Sequence, residues 1–292
     1  MQQLKLSLLT ILALLAFAAN SVFCRLALDT EQMDAANFTG IRLISAAIIL
    51  AVLVTLTGGN KTKKLLTFGS WKAAFYLFVY ATGFSFAYVS LPTAAGALVL
   101  FATVQFSMLG ISWFAGKQLN KVEIIGVLIS LLGLVFFLLP EVISSDFSSS
   151  DVSGLFFMLL AGMGWALYTM AGKTSVNALR DTAANFIRLL PLAIVIFVFA
   201  NPINSLSLQG IAYAIGSGAL ASGVGYAIWY QVLPLMNASV AAASQLSVPI
   251  LAAFGGLLLV KEPIDSHLVA SGSIILSGIL LVILARRTRP PL

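Results

Sequence analysis

The sequence predicts an all-α integral membrane protein with ten transmembrane helices, arranged as two inverted five-helix repeats around a central cavity. Three observations carry this. The first is solvent preference: 60% of the 292 residues are hydrophobic and 9% are charged, where a soluble domain carries roughly 25% charged residues. With a mean hydropathy of +1.03, the chain has too little polar surface to cover a water-soluble globule. The second is length. The apolar stretches repeat at about 20 residues, enough for a helix to cross a hydrocarbon core of roughly 30 Å. The alternating pattern of a β-barrel is absent, which leaves helices as the spanning element. The third is an internal duplication, reached below.

The first span, near 6–28, is too long and uninterrupted for a cleaved signal peptide. It holds the lone Cys24, so no disulfide or cysteine-based metal site can form within one chain. The second, 37–57, opens on NFTGIRL. The third, 72–91, places Tyr76, Tyr80, Phe84 and Tyr88 at four-residue intervals along one side of a helix, and Pro92 closes it where a proline costs little. The fourth, 94–115, sets Phe101 one turn before Gln105, and the fifth, 122–139, begins beside Glu123. The sixth, 152–173, carries Trp165, Tyr168 and Thr169, and the seventh, 183–200, opens on NFIRL. The eighth, 209–232, contains GSGALASGVG (216–225), which lets helices approach closely, then Tyr226, Trp229 and Tyr230 before Pro234. The ninth, 238–259, carries Ser244, Gln245 and Pro249, and the tenth covers 268–285.

Charge placement orients the spans. With the N-terminus in the cytoplasm, Lys5, Lys61, Lys63, Lys64, Lys72, Lys117, Lys121, Lys173, Arg180, Arg286, Arg287 and Arg289 fall inside, and the outer loops hold only Lys261. Asp29, Glu31, Asp34, Glu141, Asp146, Asp151, Glu262 and Asp265 fall outside. Lysine and arginine bias sets orientation, so both termini are expected inside. The net charge of +6 then belongs to the cytoplasmic face and its lipid headgroups, not to a nucleic-acid surface.

The two halves echo each other. FAANSVFCR (17–25) and WALYTMAGK (165–173) each run from an aromatic residue to a base eight positions later. Arg42 then matches Arg188, Phe84 and Tyr88 match Tyr226 and Tyr230, and SLP (90–92) matches VLP (232–234). GKQL (116–119) matches VKEP (260–263), and Gly126 and Gly133 share the spacing of Ser271 and Gly278. The order and the nearly constant offset indicate a duplicated five-helix unit, residues 1–146 and 147–292. An odd number of helices per unit turns the second copy upside down. Inverted repeats are the architecture of many secondary transporters, with the substrate site near the midplane where the repeats meet.

On these motifs the chain resembles the drug/metabolite transporter superfamily, specifically its EamA-type bacterial exporters. The resemblance spans essentially the whole chain, resting on the aromatic-to-base signature of spans one and six, the openings Ile41-Arg42-Leu43 and Phe186-Ile187-Arg188-Leu189, and the VKEP run. It implies metabolite export, often of amino acids, through a cavity between spans one to four and six to nine, with spans five and ten peripheral. Two departures weaken any carry-over of substrate: Phe17 and Ala18 stand where many members have a Trp-Gly pair, and Gln118 stands opposite Glu262.

The residues themselves nominate a site. Polar groups at membrane depth must be paired or wet, and aromatic rings suit a metabolite pocket. Phe17, Asn20, Tyr80, Phe84, Phe101, Gln105, Trp165, Thr169, Tyr226, Trp229, Tyr230 and Gln245 are the expected cavity residues. Helix–helix hydrogen bonding explains Ser21, Thr169 and Ser244 equally well, and Tyr88 reads as a gate or an interfacial-belt residue. Trp71 and Tyr76 read as interface anchors. Arg42 and Arg188 are expected to snorkel from helix ends, where they hold a substrate carboxylate, a lipid phosphate or, the weightier reading, a structural partner. Arg25 and Lys173 read as anchors or gate contacts, and Pro249 as a hinge.

The expected function is a secondary transporter exporting small metabolites, amino acids (aromatic or other apolar ones among them) or related zwitterions, by alternating access. Phosphorylated or drug-like solutes and a non-transporting scaffold or sensor are the alternatives. No nucleophile–base pair, metal cluster or cofactor signature appears in the spans, so no enzyme, cofactor or metal is expected. No Asp or Glu lies deep in a span, which argues for uniport or for coupling through the substrate's own charge. The expected setting is the bacterial inner membrane, with the lipid bilayer and a small-molecule substrate as partners, no nucleic acid, and a monomer or weak homo-oligomer.

Overall fold

A computed structural model describes residues 2–28, 33–58, 65–114, 116, 120–143, 149–200, 206–236 and 238–287. The loop charges Asp29, Glu31, Lys61, Lys63, Lys64, Lys117, Asp146 and Arg289, together with Gln118 and the 146/147 division, lie outside the described residues. Among the described residues the secondary structure is helical, without strands. The elements are α1 (Gln2–Leu28), α2 (Ala35–Gly58), α3 (Trp71–Ala87), α4 (Thr93–Phe114), α5 (Lys121–Ile143), α6 (Ser149–Gly172), α7 (Ala178–Val198), α8 (Leu208–Ile215), α9 (Gly225–Val232), α10 (Ala238–Gln245), α11 (Ser247–Gly255) and α12 (Ser266–Arg287). Eight helical stretches among the described residues are long and apolar enough to cross a membrane. Their outward faces carry large apolar side chains such as Val198, Leu220 and Leu258, as a lipid-facing surface requires.

Helix starts follow from local chemistry. Asp34 Oδ1 accepts from the Ala36 and Asn37 N–H groups at 2.9 Å, satisfying orphan donors at the head of α2. Asn120 and Glu123 form a reciprocal capping box on α5, with bonds of 2.6 and 2.7 Å. Ser70 caps α3 through Ala73 N–H, and Asn177 caps α7 through Arg180 N–H.

Small residues set how closely the helices pack. α3 lies on α6; a Cβ added at Gly83 or Gly164 would sit 2.7 Å from Phe157 O or Tyr80 N. α5 lies on α12, where Gly126 and Gly278 each bring a would-be Cβ to 2.6 Å from the other's carbonyl, and Ser130 Oγ donates to Ile275 O at 3.0 Å. The seven-residue spacing seen in the sequence is thus the contact face of this pair.

Two stretches depart from uniform helices. The glycine run does more than permit close packing: Gly216–Val224 widens into a π-helix between α8 and α9, a distortion that recurs at functional sites. The ninth stretch breaks at Leu246, between α10 and α11. Pro249 supplies no N–H to the Gln245 carbonyl and its ring crowds it, so the ladder stops one turn before the proline. A second π-helical turn, Gly256–Val260, ends on left-handed Lys261 (φ 65°).

Candidate functional site

α1, α3, α6 and α9 converge on a buried aromatic cluster. Trp165 lies at its middle, with ring centroids 4.8 Å from both Tyr80 and Tyr226 and 5.0 Å from Phe17, which meets it edge-on. Phe17 also packs edge-on against Trp229 at 5.4 Å, and Phe84 adjoins Tyr80 at 5.5 Å. Each of these six side chains is 5% exposed or less. Trp165 Nε1–H donates to Gln245 Oε1 at 3.0 Å, at the break between α10 and α11.

A polar network is folded into this cluster. Arg42, on α2 and 1% exposed, donates from Nη2 to Tyr226 OH at 2.9 Å and to Tyr80 OH at 3.4 Å, and from Nε to Ser222 Oγ at 3.0 Å. Its guanidinium also lies 4.8 Å from the Phe84 ring centroid. Asn20 Nδ2 donates to the same two phenols at 2.9 and 3.2 Å. Ser217 Oγ donates to Asn20 Oδ1, and the two phenols bond each other at 2.9 Å. Arg42 Nη1 is buried with no hydrogen-bond partner, as are Trp229 Nε1 and Thr169 Oγ1. No carboxylate bonds Arg42 among the described residues.

Polar clasps close both ends of the cluster. At the C-terminal end of α3, Arg25 Nε donates to Glu262 Oε1 at 2.8 Å, and Arg25 Nη1 to Tyr88 O at 3.1 Å. Glu262 Oε2 accepts Thr93 N–H at 2.7 Å, and Tyr88 OH donates to Thr93 O at 3.2 Å. A vestibule of about 620 Å³ opens beside this clasp, lined by Arg25, Pro92, Phe137, Glu262, Asp265 and His267 among others. At the other end of α3, Asp181 Oδ1 accepts Gly69 N–H at 2.8 Å and Asn185 Oδ1 accepts Ser70 N–H at 3.0 Å. Gly69 stands at φ 61° there. Arg188 donates to the Phe68 and Leu66 carbonyls at 2.8 and 2.6 Å, and Tyr230 OH to Tyr168 O at 2.8 Å. A smaller vestibule of about 230 Å³ adjoins this second clasp.

The structure brings Phe17, Asn20, Tyr80, Phe84, Trp165, Tyr226, Trp229 and Gln245 together. Tyr76 at the start of the aromatic stripe is half-buried, while Tyr80, Phe84 and Tyr88 are buried, so the stripe faces inward. Tyr88 caps α3 and belongs to the first clasp. Tyr230 belongs to the second, away from the central network, and Thr169 is buried on α6 with its hydroxyl unsatisfied. Phe101 packs in the core of α4, and Gln105 Nε2 ties α4 to α10 through Ala242 O at 3.2 Å. Pro249 lies one turn past a real break in the helix.

Both arginines lie deeper in their helices than expected, and Arg42 departs further, in its partners. α2 begins at Ala35, so Arg42 sits about 10 Å along its axis, two turns in rather than at an end. Its guanidinium turns to the buried phenols instead of snorkelling to water. α7 begins at Ala178, so Arg188 is likewise beyond the first turn; it is held by backbone carbonyls, a structural role. Sequence reasoning missed Ser217, Ser222, Asp181 and Asn185. The serines were hidden in a run read only for its small size; Asn185 was visible as the first letter of the NFIRL echo.

Among the described residues, eight membrane-length apolar helices and a buried polar–aromatic centre between two clasps define a multi-pass membrane protein. The EamA-like transporter family matches residues 4–139 and 152–284, and the chain belongs to that family. It is 43% identical over 282 residues to an uncharacterized protein of Pseudomonas aeruginosa, covering 97% of this chain and 96% of that one. An uncharacterized transporter of Archaeoglobus fulgidus is 24% identical over 253 residues, 84% of this chain and 87% of its own. A solved crystal structure has a TM-score of 0.66 at 16% identity, over 98% of this chain and 99% of that one, which shows likeness of fold alone.

Proposed function

We propose that this protein is a secondary transporter of the bacterial inner membrane that exports small metabolites, amino acids or related zwitterions, by alternating access. In this reading ten spans form two inverted repeats, residues 1–146 and 147–292, with both termini in the cytoplasm, and the solute sits among spans one, three, four, six, eight and nine. The lysine and arginine bias supports the orientation. The two segments matched by the family model support the repeat. The observation that carries the reading is the sealed centre: polar groups and aromatic rings buried together, with a hydrogen-bonded clasp and a vestibule at either end.

In this orientation the Arg25–Glu262 clasp faces outward and the Asp181–Asn185 clasp faces the cytoplasm. Opening one while the other stays shut exposes the centre to one side at a time, which is what alternating access requires. A phosphorylated solute is disfavoured because Arg188 is engaged with carbonyls, leaving one guanidinium at the centre. The test is counterflow of labelled amino acids in proteoliposomes, comparing wild type with Trp165→Ala. Saturable exchange lost in a variant that still melts cooperatively supports both the activity and its centre. Exchange untouched by Trp165→Ala discards the centre, and no exchange of any amino acid discards the solute class.

A further inference from the structure

We infer that the centre receives the carboxylate group of its solute, on the unpartnered Nη1 of the Arg42 guanidinium. The inference rests on the transporter reading of this same centre and names the chemistry it selects. It follows from counting donors and acceptors. The network offers five side-chain acceptor atoms: Asn20 Oδ1, Ser217 Oγ, Ser222 Oγ and the hydroxyl oxygens of Tyr80 and Tyr226. Each is already engaged in a hydrogen bond. Asn20 Nδ2, Arg42 Nε and Nη2, and the Ser217 and Ser222 hydroxyls spend their hydrogens on these atoms.

What is left over at Arg42 is donor: the two hydrogens of Nη1 are buried and without a partner. Trp229 Nε1 is a further buried donor without a partner, on the same helix one turn from Tyr226. Unsatisfied buried donors are costly, and an unbalanced buried cation more so. A carboxylate answers both, since it is acceptor-only, has two oxygens and forms charge-assisted bonds with guanidinium N–H groups. The rings of Phe17, Trp165 and Trp229 around it suit an apolar or aromatic body. An ester or amide of the same acid has one acceptor fewer or an added donor, and no charge, so the site discriminates against it.

The experiment uses the purified full-length protein in nanodiscs and reads ligand affinity from tryptophan fluorescence, and independently from thermal stabilisation. The probes are L-alanine, L-leucine and L-phenylalanine, their amides, and the matching deaminated carboxylates (propionate, 4-methylpentanoate and 3-phenylpropionate). Expected is binding of at least one acid with its amide weaker by roughly tenfold or more, the scale of a charged hydrogen bond. Arg42→Gln brings the acid-to-amide affinity ratio down toward one. If Arg42→Gln does not fold, Arg42→Lys keeps the charge but not the fork, and a reduced acid-to-amide ratio is expected. Amides binding as well as acids overturns the carboxylate assignment and leaves the transporter standing. Deaminated acids binding where amino acids do not keeps Arg42's role and removes amino acids as the solute. Failure of every carboxylate to bind overturns the inference.

Discussion

Removing the Glu262 carboxylate tests the outer clasp with a reporter the chain already contains. Cys24 is the single cysteine, fully buried and next in sequence to Arg25. In Glu262→Ala, Arg25 loses its 2.8 Å partner and Thr93 N–H its 2.7 Å acceptor. A charged hydrogen bond protected from water contributes about 1.5–3 kcal/mol, and an exposed ion pair under about 1 kcal/mol. The two side chains are 15% and 17% exposed, so an intermediate value of about 2 kcal/mol for the clasp is appropriate. That is roughly a 30-fold rise in the ratio of open to closed forms. When opening is fast compared with the reagent, labelling of the thiol by a membrane-impermeant maleimide follows this ratio. We expect labelling in right-side-out vesicles to accelerate by about that factor, with Glu262→Gln between the two. An unchanged labelling rate in Glu262→Ala would falsify the clasp and the account of closure built on it.

Three further outcomes follow from the geometry. Asp181→Ala combined with Asn185→Ala frees the Gly69 and Ser70 N–H groups, biasing the protein toward the inward-open form, so Cys24 labelling from outside should slow. Gly126→Leu forces a side chain against Gly278 O and Val282; overpacking costs about 1–3 kcal/mol, read as a lower melting temperature in detergent that Ala at position 126 reproduces only in part. Pro249→Ala returns an N–H to the Gln245 carbonyl, so the protein should melt higher while exchanging solute more slowly; faster exchange would remove the hinge.

How much was legible in the sequence depended on the physical scale of each feature. Membrane-length apolar stretches are averages over about 20 residues, and α1, α2, α4 and α6 lie close to where composition put them. The stripe of Tyr80 and Phe84 was legible because helical periodicity puts residues four apart on one side; which side faces inward came from packing on α6. Arg42 was misjudged because burial beside two phenols on α3 and α9 is a long-range fact. Nothing within its own helix distinguishes it from Arg188, whose guanidinium found carbonyls instead. The π-helix was illegible for a similar reason: Ser217 and Ser222 become donors and acceptors only once α1 and α2 stand opposite them. Asp181 and Asn185 act on backbone N–H groups more than a hundred positions away, a relation no local window contains.

Arg42's burial without an acidic partner among the described residues has an electrical consequence. An elementary charge moved through the whole of a 100 mV potential changes in energy by roughly 2.3 kcal/mol. In the alternating-access cycle proposed above, a fixed cation at the centre would experience whichever part of that drop falls across the closed clasp, and the part would change sides when the clasps exchange. Voltage would then act on the empty protein and on the zwitterion-loaded one alike, while a carboxylate without an ammonium, seated on Arg42, would cancel the charge and make the loaded protein indifferent to it. In that cycle the resting potential of the cell would set how quickly the vacant protein resets, and a capacitive current on a supported bilayer, suppressed by a deaminated acid but not by a zwitterion, is the expected signature.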